Sequence, residues 1–172
     1  CITEGDCYPR YAFTNLDPKT ATVNVSRMPG GATLTIKGGY QRMEGGVGER
    51  DPLTYRTWIN GNPDGTALED GIYHCITVEA GAKVVFDGLH VTGGYAAGEA
   101  TSTQGAGLLV ASGADVTVRN TVFENNTAVN GAAISASAAK LTLENCVVNN
   151  NTNTTETNPV ILCNDLTMYH VT

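Results

Sequence analysis

The chain has 172 residues, a mass of 18.0 kDa and a formal charge of −7, and this length fits a single domain. Its acidity argues against a nucleic-acid-binding protein, and 41% hydrophobic residues indicate a packed core rather than a disordered chain. No apolar run approaches the roughly 18 residues of a membrane-spanning helix, so no transmembrane segment is predicted. Glycine accounts for 20 of the 172 residues, a larger share than its average of about 7%, which indicates many turns.

Residues 1–20 do not follow the repeat that fills the rest of the chain and are interpreted as an N-terminal leader or cap. They contain Cys1 and Cys7, which are close enough in sequence to close a small disulfide loop. The total of five cysteines is odd, so at least one thiol stays unpaired. No CxxC spacing occurs, so a zinc ribbon or a thioredoxin-like site has no support, and no cofactor is predicted.

Residues 21–172 are dominated by an internal repeat. Four copies align without gaps, at 83–91, 115–123, 140–148 and 165–172. Their first apolar positions are separated by 32, 25 and 25 residues. An earlier copy at 33–38 lies 50 residues before the first of these, which is interpreted as two periods, with the region around Trp58 as the coil between.

Each copy alternates apolar and polar residues, which is the period of a β-strand. A period of about 25 residues is too short for a β-α-β unit, and the intervening segments lack helical periodicity. Each period is therefore predicted to form one coil of strands and turns, stacked on the next in a parallel β-solenoid. The two inward columns are Leu34, Val84, Val116, Leu141 and Leu166, and Ile36, Phe86, Val118, Leu143 and Met168.

Two outward columns contain charges whose sign alternates from copy to copy. They are Lys83, Asp115, Lys140 and Asp165, and Asp87, Arg119 and Glu144. Opposite charges on stacked strands attract, so this alternation favours the predicted register over a shifted one.

Further columns mark the turns. They are Gly38, Gly88, Asn120, Asn145 and His170, then Gly93, Asn125 and Asn150, and Gly94, Asn126 and Asn151. Glycine and asparagine tolerate left-handed backbone conformations, and stacked asparagine amides form ladders, so these residues are interpreted as architecture. Cys146 falls on the inward side of a turn as a buried free thiol. A disulfide with Cys163 is not expected, because the two cysteines lie in different columns.

The segments Phe123-Glu124-Asn125-Asn126 and Gly131-Ala132-Ala133-Ile134 resemble the paired FxxN and GGA(I/L/V) motifs of the chlamydial polymorphic outer-membrane protein repeat. The second segment has Ala132 where that family has glycine. Over roughly residues 30–172 the pattern is also similar to bacterial surface proteins with right-handed parallel β-helix repeats, which are common among Bacteroidetes.

This resemblance implies an all-β fold, a right-handed single-stranded parallel β-helix, to which the columns assign five to six coils. It also implies an extracellular or outer-membrane-surface location and a role in adhesion or carbohydrate contact. Mature bacterial lipoproteins begin with a lipidated cysteine, so Cys1 is a candidate lipid anchor, and a processed fragment is the alternative. The repeat is still under way at Thr172, which predicts a continuation or capping by another domain or chain.

No catalytic residues are predicted. Similar folds house pectate lyases and polygalacturonases, but the catalytic motifs of those enzymes have no counterpart placed in this sequence. Asp87 and Glu144 lie two coils apart with Arg119 between them, and they are interpreted as partners of that arginine rather than as a catalytic pair. His90 aligns with outward valines and is expected to be exposed.

One segment approximates half of a calcium loop. Asn60-Gly61-Asn62-Pro63-Asp64-Gly65 is similar to D-x-[DN]-x-[DN]-G, but Gly71 stands where the bidentate glutamate is expected. The segment is interpreted as a turn, and no metal site is predicted.

Three insertions interrupt the repeat, at about 40–70, 95–106 and 152–158. Insertions in a solenoid gather on one face, which is often the binding face. Tyr40, Trp58 and Tyr95 are the glycan-contact candidates, because exposed aromatic rings stack on sugars. For Trp58, a plug of the first coils is the alternative interpretation.

The leading hypothesis is a non-catalytic, secreted or cell-surface bacterial module for adhesion or glycan binding. Its partner is then a polysaccharide or a cell-surface glycan. A polysaccharide lyase or glycoside hydrolase of pectate-lyase-like architecture is the first alternative, and a structural spacer or filament segment is the second.

Overall fold

The computed structural model of the chain is a solenoid of short strands, described for residues 5–7, 18–65, 67–98 and 103–172. In chain order the strands are β1 (Gly5–Cys7), β2 (Val23–Val25), β3 (Thr33–Lys37), β4 (Tyr40–Met43), β5 (Gly46–Arg50), β6 (Thr57–Asn60), β7 (Ile76–Val78), β8 (Lys83–Asp87), β9 (His90–Thr92), β10 (Tyr95–Ala96), β11 (Leu108–Val110), β12 (Asp115–Arg119), β13 (Val122–Glu124), β14 (Thr127–Ala128), β15 (Ile134–Glu144), β16 (Val147–Asn149), β17 (Thr152–Asn153) and β18 (Ile161–Tyr169). Short 3-10 helices cover Pro18–Thr20, Pro29–Gly31 and Leu68–Asp70. Within the described ranges, no helix has the length and hydrophobicity needed to cross a membrane.

Three parallel sheets run along the solenoid. Sheet 1 contains β2, β3, β7, β8, β11, β12, β15 and β18, sheet 2 contains β1, β6, β9, β13 and β16, and sheet 3 contains β10, β14 and β17. One coil visits the sheets in turn, as β8, β9 and β10 do before the chain returns to sheet 1 in β11. The predicted all-β parallel solenoid is confirmed.

The registers in sheet 1 are those that the repeat predicts. Val84 pairs with Val116, Val116 with Leu141, and Leu141 with Leu166. Val84, Val116 and Leu141 are at most 1% exposed. The hydrophobic core is therefore a stack of apolar columns, each coil covering the apolar surface of its neighbour.

The interval of 50 residues between Leu34 and Val84 is one coil, so its interpretation as two periods is wrong. Strand β3 pairs directly with β8, and Leu34 lies against Val84. The antiparallel hairpin β4–β5 and the loop before β7 take up the extra length. Trp58 belongs to this same coil, in sheet 2, where it pairs with His90. An insertion that is one period long cannot be told from a further coil by spacing alone.

Two of the three turn columns have the predicted left-handed backbone, whereas Gly94, Asn126 and Asn151 of the third column do not have a positive φ. Positive φ values between 47° and 54° occur at Asn120, Asn125, Asn145, Asn150 and His170. The amide ladders are also confirmed, because Asn145 Nδ2 donates to Asn120 Oδ1 at 2.8 Å and Asn126 Nδ2 donates to Asn151 Oδ1 at 2.9 Å. In the first coil the positive φ falls on Gly39, one residue after the predicted position.

Asn126 links three successive coils from a fully buried position. Its Nδ2 donates to the carbonyl oxygens of Val91 and Glu124, at 3.1 Å each, as well as to Asn151. Its Oδ1 accepts the backbone N–H of Gly94 at 3.1 Å. These bonds satisfy backbone groups that the turn takes out of the strand ladders.

The alternating charges are in register but form fewer ion pairs than the columns suggest. Among the described residues, Arg119 Nε contacts Glu144 Oε2 at 3.3 Å, and Asp87 is paired with Arg50 at 2.7 Å rather than with Arg119. Asp115 lies opposite Lys83 and Lys140 without a contact within salt-bridge distance. The column of Lys83, Asp115, Lys140 and Asp165 therefore has its opposite charges in register but forms no direct ion pairs among the described residues.

The cysteine predictions that the structure covers are confirmed. Cys146 is a free, buried thiol. Cys163 is also free and lies in another column, because its register partner on the adjacent strand β15 is Ala136. Burial raises the pKa of the Cys146 thiol above its ordinary value, so it stays protonated and packs as an apolar group. Cys1, and with it both the disulfide to Cys7 and the lipid anchor, lies outside the described residues.

His90 is buried, which corrects the expectation that it is exposed. It is 9% exposed, and the ring of Trp58, its partner in the paired strand β6, lies 4.6 Å from the imidazole between ring centres. Its Nδ1 atom is buried without a hydrogen-bond partner among the described residues. The alternation correctly predicted the outward direction of His90, but it did not indicate that the Trp58 ring lies against that position.

Replacing Asn126 with alanine should destabilise the solenoid by about 2–4 kcal/mol, because buried backbone groups of neighbouring coils lose their partner. Urea denaturation followed by circular dichroism measures this change. Asn149→Ala is the control at an exposed position one coil on and should stay within about 0.5 kcal/mol of the parent chain. Equal midpoints for the two variants would contradict the bridging role of Asn126.

The free energy of unfolding should fall as the pH drops from about 6.5 to 4. Burial, with a contribution from the charge of Arg56, lowers the pKa of His90 from its ordinary 6.5 to about 4. Between pH 6.5 and pH 4, His90 is protonated in the unfolded chain but neutral in the folded chain. The contribution of neutral His90 to the free energy of unfolding is therefore fully present above pH 6.5 and is lost as the pH falls to 4.

The matching variant is His90→Phe, which should remove roughly 2 kcal/mol of that decline. Urea titrations at pH 7 and pH 4.5 measure it. The pKa of His74 is also lowered by burial, so a smaller decline remains in the variant. A decline of unchanged size in His90→Phe would show that other groups account for it.

Candidate functional site

A groove lies between residues 50–53 of the first insertion, at the end of the β4–β5 hairpin, and the outer face of sheet 2. It is named here the Leu53 groove and has a volume of about 310 Å³. Its lining consists of Arg50, Asp51, Pro52, Leu53, Asn120, Thr121, Val122, Asn145 and Val147. One wall is thus supplied by the insertion, the floor by sheet 2 and the edge by a turn column.

The insertion wall is fastened to the solenoid by Arg50. Its Nε donates to the carbonyl oxygen of Gly38 at 3.0 Å, and its Nη2 donates to Asp87 Oδ1 at 2.7 Å and to the Asp87 carbonyl at 3.2 Å. The guanidinium also lies over the Tyr40 ring, 5.7 Å from its centre. Arg50 therefore ties one end of the hairpin to Gly38 and to Asp87 of β8, and Tyr40 at the other end lies against the same guanidinium.

Glycines allow this close approach. At Gly39, φ is +82° and an added Cβ would lie 2.6 Å from Pro52 Cα. At Gly88, φ is +78° and an added Cβ would lie 2.7 Å from Arg50 Nη2. A side chain at either position would be strained and would push the wall off the solenoid.

The floor of the groove is aliphatic. Val122 and Val147 pair in adjacent strands of sheet 2, one coil apart, and point away from the core. Val147 is 41% exposed, and Leu53, across the groove, is 86% exposed. Uncovered apolar side chains on two sides of a concave surface are a feature of ligand sites.

The edge of the groove is a chain of hydrogen bonds along the turn column. Asp87 Oδ1 accepts from Arg50 and from Asn120 Nδ2 at 2.8 Å, and Asn120 Oδ1 accepts from Asn145 Nδ2 at 2.8 Å. Each group in the chain orients the next one. Asn145, at its exposed end, forms no further side-chain hydrogen bond to another described residue, so one N–H and the amide oxygen remain available.

Both carboxylates near the groove stay ionised at neutral pH. Partial burial opposes ionisation of Asp87, but the hydrogen bonds from Asn120 and Arg50 and the charges of Arg50 and Arg119 lower its pKa below the ordinary value. Hydrogen bonds from the Thr54 hydroxyl and the Leu53 N–H lower the pKa of Asp51. Neither group has the raised pKa of a general acid.

The three aromatic candidates lie in three different sheets. Tyr40 lies half-buried beneath Arg50, Trp58 lies half-buried against His90 in sheet 2, and Tyr95 lies in sheet 3. Among the described residues, ring contacts join Trp58 to His90 and Tyr73 to His74, so the candidates do not stack on one another. Their role in glycan contact stays a prediction.

Neither the carboxylate pair nor the calcium-like segment assembles into a reactive cluster. Glu144 is bound by Arg119, and Asp87 by Arg50 and Asn120. Asn60 Oδ1 accepts the backbone N–H of Asn62 at 2.9 Å, as in a turn. In the part of the chain that the structure describes, no three His, Cys, Asp or Glu side chains are grouped as metal ligands.

A second concavity of about 440 Å³ lies at the bend between the two strand positions of sheet 1. Lysines and aspartates alternate along it, as Lys83, Asp115, Lys140 and Asp165. Its charges balance and its walls are otherwise small residues. It therefore has less chemical selectivity than the Leu53 groove.

The Leu53 groove was only partly accessible to sequence reasoning. The insertion of about 40–70 is a predicted binding region because of its aromatic residues. The prediction did not include Arg50 or Leu53. The Arg50–Asp87 pair joins residues 37 positions apart, and no sequence pattern marks it. The sequence does contain a column of asparagines, Asn120 and Asn145, beside a column of outward valines, Val122 and Val147. That combination indicates a surface with polar and apolar groups side by side.

A family model described as "Right handed beta helix region" matches residues 57–164, well over half of the chain. The match runs from β6 into β18 and includes every strand that forms the groove floor. No curated protein and no solved structure is significantly similar to the chain. The chain belongs to the right-handed β-helix family.

Proposed function

We propose that this chain is a non-catalytic glycan-binding module and that the sugar lies in the Leu53 groove. The supporting observation is the juxtaposition of an aliphatic floor with a row of ordered amides. A sugar ring has apolar C–H faces and a rim of hydroxyl groups, so it is matched by a site of this composition.

The rigidity of the scaffold favours such binding. Val122 and Val147 are fixed by the parallel pairing of β13 and β16, and Asn120 and Asn145 are fixed by their mutual hydrogen bond. A ligand would therefore order few side chains when it binds. Preorganisation of this kind increases affinity for a small contact area.

Catalysis has less support than binding. A glycosidase needs two carboxyl groups on either side of the scissile bond, one of them protonated. Asp87 and Glu144 are instead each held by an arginine, and the pKa of Asp87 is lowered. The polysaccharide lyase or hydrolase hypothesis therefore remains the alternative that the binding experiment also tests.

An extracellular location belongs to the same proposal. It rests on the family, which is consistent with surface modules, and on the resemblance of the repeats to bacterial surface proteins. Accessibility of the native protein to protease added to intact cells tests this location. Complete protection on intact cells, with digestion after lysis, would contradict it.

The function is tested with immobilised neutral and acidic polysaccharides, scored for retention and for release of reducing ends. Retention without cleavage is expected. Leu53→Ala should weaken binding about fivefold, because an exposed leucine that covers a ligand contributes about 1 kcal/mol. Leu53 is 86% exposed, so the substitution should leave the fold unchanged.

Leu68→Ala is the matched control, since Leu68 is also exposed, at 63%, and does not line the groove. It should bind as the parent chain does. Cleavage of any polysaccharide would overturn the non-catalytic assignment. Equal loss in both leucine variants, or loss only in Tyr95→Ala, would place the sugar elsewhere on the molecule.

A further inference from the structure

Resting on the proposed function, we infer that the Leu53 groove selects uncharged sugars that carry a methyl group and discriminates against uronates. The methyl group belongs either to an N-acetyl substituent or to a 6-deoxy carbon. Both present the same chemistry, a neutral ring with one compact methyl group.

The charges around the groove disfavour an anionic sugar. Arg50 is the one cation of the lining, and its guanidinium is already bonded to Asp87 and to two backbone carbonyls. Asp51 lines the groove as an anion, and Asp87 adjoins it. The chain as a whole has a charge of −7. Within the lining, a uronate carboxylate would meet the anion Asp51, while the cation Arg50 is already in an ion pair with Asp87.

The floor and wall favour a methyl group over a hydroxyl-only ring. Pro52, Leu53, Val122 and Val147 provide aliphatic surface on two sides, and no aromatic ring lines the groove. Flat stacking of a sugar on an aromatic ring is therefore not the binding mode of this site. Aliphatic walls instead reward a compact apolar substituent that fits between them.

The edge of the groove supplies polar partners for the same ligand. Asn145 has an N–H and an amide oxygen to offer, and its orientation is set by its bond to Asn120 at 2.8 Å. A primary amide can pair with an N-acetyl group, donor to acceptor and acceptor to donor, or with neighbouring ring hydroxyls.

The dimensions indicate a short ligand segment. A volume of about 310 Å³ lies at the small end of ligand sites, which span about 300–1,000 Å³. The groove therefore contacts a terminal or short internal part of a glycan and not an extended run of polymer.

The test uses the complete chain and tetrasaccharides with one shared β-1,4 backbone, measured by isothermal titration calorimetry. The ligands are cellotetraose, its N-acetylated counterpart chitotetraose, and its uronate counterpart oxidised at C6. A fucose-terminated oligosaccharide adds the 6-deoxy arm. Chitotetraose, the fucosylated ligand or both should bind at least about threefold more tightly than cellotetraose. The uronate should bind most weakly, with a deficit that shrinks as salt is added.

Val147→Thr tests whether the groove produces this preference. Threonine keeps the β-branched shape but places a hydroxyl on the floor, so the advantage of the methylated ligands should fall to about twofold or less. Val85→Thr is the matched control, because Val85 belongs to an outward column of sheet 1 whose other members are threonines, and it does not line the groove. It should keep the full preference.

Three results would overturn the inference. They are equal affinity for cellotetraose and both methylated ligands, tightest binding of the uronate, and an unchanged preference in Val147→Thr. In each of these cases some glycan still binds, so the proposed function stands while the specificity is wrong. If no tetrasaccharide and no polysaccharide binds, the proposed function itself fails and the inference with it.

Discussion

The in-register stacking of one coil on the next is the constraint on which the rest of this molecule depends. A solenoid has no central core shared by distant elements, so each coil must present its apolar column opposite the apolar column of its neighbour. Asn126 enforces this from inside, because its amide bonds to groups in three successive coils. Without that register, neither the buried columns nor the surface columns would align.

The same stacking that builds the core also builds the groove. Because identical positions of successive coils are superposed, Val122 and Val147 form a continuous floor, and Asn120 and Asn145 form a continuous edge. The groove is therefore a result of the scaffold's repetition, combined with one non-repeating element, the insertion that Arg50 fastens. The proposed binding surface lies where the repeating and non-repeating parts meet.

This division explains what the sequence could and could not predict. The strands, their register, the left-handed asparagine turns and the buried Cys146 follow from columns that recur, and recurrence is visible in a single sequence. The burial of His90, the ion pair of Arg50 with Asp87, and the assignment of 50 residues to one coil all depend on the insertion. A segment that occurs once has no column to compare it with, and its contacts are made in space between residues far apart along the chain.

The placement of that insertion has a consequence for how such a protein can diversify. Strand β3 pairs with β8 across an excursion that doubles the usual length of a coil, and the registers on both sides of it are undisturbed. A loop that connects two strands of one coil can thus be lengthened, shortened or exchanged while the neighbouring coils keep their register. The insertion wall of the groove is free to vary in sequence and shape, while the floor and the edge stay fixed by the stacking of the coils. We expect proteins built on this scaffold to differ in the chemistry of this groove through exchange of a single loop, with the stacked coils unchanged.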